Sequence, residues 1–69
     1  MNWRILTLTP DVIGMRMLVK ARSPLGRESH FCGTMRYSNG CYVLKSDQGT
    51  YHYFRKGMTY YRVDIDEIK

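Results

Sequence analysis

The chain has 69 residues, a mass of 8.2 kDa and a formal net charge of +5, with 43% apolar and 25% charged side chains. A chain of that size makes one domain, residues 1–69, which buries only about 60% of the surface its unfolded form exposes. The mix is globular, and no apolar run approaches the roughly 18 residues of a membrane helix, so the arithmetic argues against a membrane protein, a two-domain enzyme and a disordered tail.

The first segment, Asn2 to Thr9, alternates only loosely, but Trp, Ile, Leu and Thr suit a strand. Pro10-Asp11 marks a turn and Gly14 a bend. Met15 to Arg22 alternates well, with Met15, Met17, Val19 and Ala21 on one side of a half-buried strand. Ser23 to Ser29 reads as the longest loop, and a mobile one. Phe31 to Tyr37 and Cys41 to Lys45 flank Ser38-Asn39-Gly40, a hairpin signal in which Asn-Gly suits a type I′ turn. That turn opposes Ser38 to Cys41, Tyr37 to Tyr42, Arg36 to Val43 and Met35 to Leu44, which predicts Phe31, Met35, Tyr37, Tyr42 and Leu44 on an inner face.

The next link, Ser46 to Thr50, decides the facing of everything after it. A three-residue loop with Gly49 in a left-handed bulge opposes Ser46 to Thr50, and a slip of one residue exchanges the two faces. The bulged register sends Arg36, Lys45, Arg55, Arg62 and Asp64 outward and Leu44, Phe54, Tyr61, Val63 and Ile65 inward. The other register would bury two arginines at high cost, so the bulge is preferred, although it leaves His52 inside. Lys56-Gly57 reads as a tight turn that pairs the fifth strand with the sixth. The segment around Asp64, Asp66 and Glu67, with Ile65 and Ile68, reads as a closing strand or helical turn.

Five to six short antiparallel strands with one apolar face must curl to cover that face. The expected fold is all-β, a small, strongly bent barrel. In strand count and turn spacing it resembles the SH3-like (Sm-like) barrels, most closely over residues 31–65. The acidic loop and aromatic groove of proline-binding SH3 domains have no counterpart.

Residues 1–63 carry ten basic and three acidic side chains, a net of +7, whereas residues 64–69 carry a net of −2. A basic body attracts polyanions. The outward set Arg36, Lys45, Tyr51, Tyr53, Arg55, Tyr60 and Arg62 interleaves cations with tyrosines, a pattern that fits phosphates and stacked bases. Tyr and Arg also dominate protein interfaces, and cross-strand Tyr–Arg packing is the purely structural alternative. Arg16, Lys20, Arg22 and Arg27 form a second basic cluster that either extends a phosphate track or guards a strand edge. Trp3, the single tryptophan, is expected in the core.

His30, Cys32, Cys41 and His52 lack the spacing of a zinc site, and the hairpin register holds the two sulfurs roughly 20 Å apart, too far for a disulfide. No motif gathers catalytic groups, so no enzyme activity, metal or cofactor is expected. The N-terminus MNWRILTLTPDVIG lacks the pattern of a secretory signal, which with two unpaired cysteines suggests the cytoplasm. The sequence thus predicts a non-enzymatic module that binds nucleic acid without reading sequence. The alternative is a small regulator or inhibitor of one protein partner, with an acidic surface, carried by a phage or other mobile element. An open strand edge over residues 2–9 would also allow a homodimer.

Overall fold

The computed structural model describes residues 2–65. Six strands form one antiparallel sheet: β1 Arg4–Ile5, β2 Arg16–Arg22, β3 Glu28–Ser38, β4 Cys41–Lys45, β5 Tyr51–Tyr53 and β6 Thr59–Asp64. Their spatial order is β1-β6-β2-β3-β4-β5. A 3-10 turn spans Pro10–Val12.

Local turn chemistry sets the β2–β5 half of the sheet. Asn39 and Gly40 both take positive φ, +53° and +79°, as a type I′ turn requires. The β3–β4 register is the predicted one, from Ser38 opposite Cys41 to Met35 opposite Leu44. At the next link the Ser46 N–H donates to the Thr50 carbonyl at 2.8 Å, and the Gly49 N–H to the Ser46 carbonyl at 2.9 Å, with Gly49 at φ +90°. The bulge therefore forms, and it places Tyr53 opposite Val43, His52 opposite Leu44 and Tyr51 opposite Lys45. His52 does point to the inner side, where its ring stacks on Phe31 with centroids 4.4 Å apart.

The expected mobile loop at 23–29 is instead a second copy of this turn. The Ser23 N–H donates to the Arg27 carbonyl at 2.8 Å, the Gly26 N–H to the Ser23 carbonyl at 2.9 Å, and Gly26 has φ +86°. In both turns the serine hydroxyl also accepts the backbone N–H of the residue after the glycine, at 3.1 Å for Arg27 and 3.0 Å for Thr50. The sequence signal is Ser-x-x-Gly, present twice, and β3 consequently starts at Glu28.

β3 is the hinge of the sheet. Residues up to Thr34 pair with β2, and residues from Thr34 onward pair with β4. Met17, Val19, Met35 and Leu44 meet on the inner face, with Leu6 and Val12 closing the cluster. Phe31, Tyr42, Phe54, Tyr60 and Met15 pack around its margin.

Several expectations fail. The sheet does not close into a barrel, because β1 and β5 remain as separate edges. β5 does not pair with β6; β6 lies between β1 and β2, and Lys56-Gly57 turns the chain away from β5. The facing of β6 is therefore set by β2. Tyr60, Arg62 and Asp64 oppose Ala21, Val19 and Met17 on the inner side, and Tyr61 and Val63 oppose Lys20 and Leu18 on the outer side. Finally, Trp3 is not a core residue: its ring packs on His30 at 5.8 Å and under the Lys20 ammonium at 4.6 Å. Strand pairing at the N-terminus is also shorter than Asn2 to Thr9, with Arg4 and Ile5 opposite Arg62 and Tyr61. Tyr37, expected inside, is 53% exposed and meets Tyr42 edge-on. The expected closing role of Asp66, Glu67 and Ile68 lies outside the described residues.

Candidate functional site

The outer face of β3–β5 carries the densest group of predicted site residues. Arg36 opposes Val43, Lys45 opposes Tyr51, and Val43 opposes Tyr53, so one register aligns all five side chains on one side. They line an open groove of about 550 Å³ whose far end is the Asn39 turn. Tyr51 and Tyr53 are 49% and 64% exposed, whereas Val43 beneath them is 2% exposed. The floor is thus apolar and the walls are rings and cations. Both tyrosines also border a second groove of about 510 Å³, which contains Arg55, His30 and Phe31. They form a ridge between two concavities.

The ion pairs divide the cations into two groups. Asp64 accepts from Arg4 at 2.6 Å and from Arg62 at 2.7 Å, and Asp47 accepts from Arg16 at 2.8 Å. Glu28 accepts from the Nε of Arg22 at 2.8 Å. Among the described residues Lys20, Arg27, Arg36, Lys45, Arg55 and Lys56 have no carboxylate partner within ion-pair distance; Lys20 lies between two aromatic rings and Arg27 at the β2–β3 turn. Four of these six, Arg36, Lys45, Arg55 and Lys56, stand around β5 and the strand-to-turn segment after it. Lys45 lies with its ammonium 5.7 Å from the Tyr51 ring, a cation–π distance that leaves the charge at the groove.

The other predicted site residues are placed elsewhere. Tyr60 is half-buried, edge-on to Phe54 at 4.8 Å, and its hydroxyl accepts the Arg55 backbone N–H at 2.7 Å. It fixes the turn and does not join the exposed face. Arg62 has a side chain only 12% exposed, bound to Asp64 and 3.7 Å from the Met15 sulfur. It is an internal clasp for β6. Arg22 lies on the outer face of β2 against Tyr61, at 5.5 Å, and is held by Glu28. That hydrogen bond, reinforced by the Arg22, Lys20 and His30 charges, holds the Glu28 carboxyl below its usual range and raises Arg22 in turn. Arg27 is exposed at the turn between β2 and β3.

Two features escape a sequence reading. Val43 sits at an outward position by alternation yet is buried, because the ring of Tyr53 and the chain of Arg36 flank it. On the opposite half of the sheet, Lys20 lies between Trp3 and Tyr61, 4.6 Å and 5.1 Å from their centroids. The parity of Trp3, Ile5 and Tyr61 would have shown this column had the β1–β6 pairing been known. Cys32 and Cys41 are free thiols, and no cluster of three or more metal-ligating side chains forms among the described residues.

No family model, no curated protein and no solved structure matches the chain.

Proposed function

We propose that this domain is a non-catalytic, cytoplasmic nucleic-acid-binding module, an open relative of the SH3-like (Sm-like) architecture. Its binding face is the groove of Arg36, Lys45, Tyr51 and Tyr53, with Arg55 on the far side of the tyrosine ridge. One observation supports the reading above the others: four of the six cations without a carboxylate partner gather near the exposed Tyr51 and Tyr53, while Glu28, Asp47 and Asp64 neutralise arginines elsewhere. Phosphates satisfy such cations, and rings flanking an apolar floor offer stacking surface. Among the described residues no α-helix is available to enter a major groove, and Val43 presents no hydrogen-bonding group to a base edge, so binding is indifferent to sequence.

The test is fluorescence anisotropy with labelled mixed-sequence DNA and RNA at about 50 and about 200 mM salt. Binding should weaken steeply with salt, and Arg36→Gln and Lys45→Gln should each weaken it without altering the thermal melt. If neither nucleic acid binds at the lower salt, the reading fails. Recovery of one stoichiometric protein after nuclease treatment would then favour the regulator of a single partner.

A further inference from the structure

The geometry points to a single-stranded ligand, one of whose bases is held between the rings of Tyr51 and Tyr53. This inference rests on the nucleic-acid reading above and narrows it to unpaired strands.

The six tyrosines are not equivalent. Tyr37 and Tyr42 engage each other, Tyr60 engages Phe54, and Tyr61 is covered by the cations of Lys20 and Arg22. Among the described residues Tyr51, Tyr53 and Tyr61 have no ring partner; Tyr61 is flanked by two cations, Tyr51 has Lys45 alone at 5.7 Å, and Tyr53 has none. Tyr51 and Tyr53 are also neighbours on one face of one strand, since His52 between them points inward to Leu44. Alternate residues on a strand are about 6.6–6.8 Å apart along its axis. Stacked bases are separated by about 3.4 Å, so a flat base between two rings needs about 6.8 Å. The strand rise supplies that spacing without any movement of the backbone.

A duplex does not offer such a base. Each of its bases already has a neighbour on both faces, and opening a step for an inserted ring costs a few kcal/mol. An unpaired strand presents its base faces at little cost. The surroundings agree with this choice. Val43 floors the slot where the edge of the base would rest, and Arg36 and Lys45 stand on one side with Arg55 on the other. The sugar–phosphate chain can therefore meet a cation as it enters and as it leaves. β5 is an edge strand, so nothing in the sheet blocks the strand from crossing it.

The experiment compares a labelled single strand of about 12 nucleotides with its own duplex at low salt, by anisotropy. The single strand should bind at least about tenfold more tightly. Tyr53→Ala should lower single-strand affinity by at least about fivefold and leave the weaker duplex binding unchanged, whereas Tyr53→Phe should retain the wild-type value. Circular dichroism melts would show that each variant is folded. Equal affinity for strand and duplex, or a Tyr53→Ala variant that binds both as the wild type does, overturns the inference and leaves the broader reading standing. Binding to neither removes both.

Discussion

Gly33 shows what one hydrogen atom can decide. A Cβ at this position would lie 2.3 Å from the Lys45 carbonyl oxygen and 2.9 Å from the Ser46 Cα. These are backbone atoms at the end of β4, where the chain crosses the bend of β3, and they cannot rotate away. Gly33→Ala should therefore cost about 1–3 kcal/mol or prevent folding, read as a lower midpoint in urea. Asp64 is a second such point. It receives both Arg4 and Arg62, which oppose each other across β1 and β6 and would otherwise repel. Asp64→Asn leaves the enclosed Arg62 guanidinium without its counter-charge, and a loss of about 1–3 kcal/mol is expected in the same assay. The Arg22–Glu28 link, by contrast, is exposed and responds to pH. Because the folded protein holds the Glu28 carboxyl low, the link is intact above the ordinary carboxylate range and is lost as pH falls through the folded value. Glu28→Gln should flatten that part of the stability–pH curve.

At the level of elements, the sheet is assembled from turns that specify their own register. The paired Ser-x-x-Gly links at 23–27 and 46–50 both require a glycine at positive φ. Gly26→Ala and Gly49→Ala should each destabilise by about 1–2 kcal/mol, seen in thermal melts. These features are local, which is why the Asn39-Gly40 turn, the bulge at Gly49 and the inward Met17, Val19, Met35 and Leu44 are all legible in the sequence. The pairing of β6 is not. Lys56-Gly57 turns the chain as its composition indicates, but a tight turn does not oblige its flanks to form a ladder. Here the Tyr60 hydroxyl takes the Arg55 N–H and the following strand is free to pair with β2 instead. With that partner the parity of β6 reverses, and Tyr60 and Arg62 leave the binding face. Arg62 alone would be costly inside; Asp64, two residues on and facing the same way, supplies its counter-charge there. What was legible of the candidate site was the part before the Lys56-Gly57 turn.

Across the whole molecule, charge is sorted by position. Carboxylates clasp arginines at β1–β6, at the β2–β3 end and at the β4–β5 turn, and of the cations left without a carboxylate Arg36 and Lys45 line the groove with Arg55 beyond the tyrosine ridge. Three phosphates neutralised by Arg36, Lys45 and Arg55 imply a slope of about −2 in log affinity against log salt for a single strand. Arg36→Gln should reduce that slope by about 0.7, measured over a salt titration. A second consequence concerns Trp3, which rests on the outside of the sheet beside β1 while the apolar cluster lies on the other face. The sole indole is thus a chromophore for the N-terminal edge. Its emission follows the peeling of two residues from β6, and a fluorescence trace on heating should precede the loss of far-ultraviolet ellipticity rather than coincide with it.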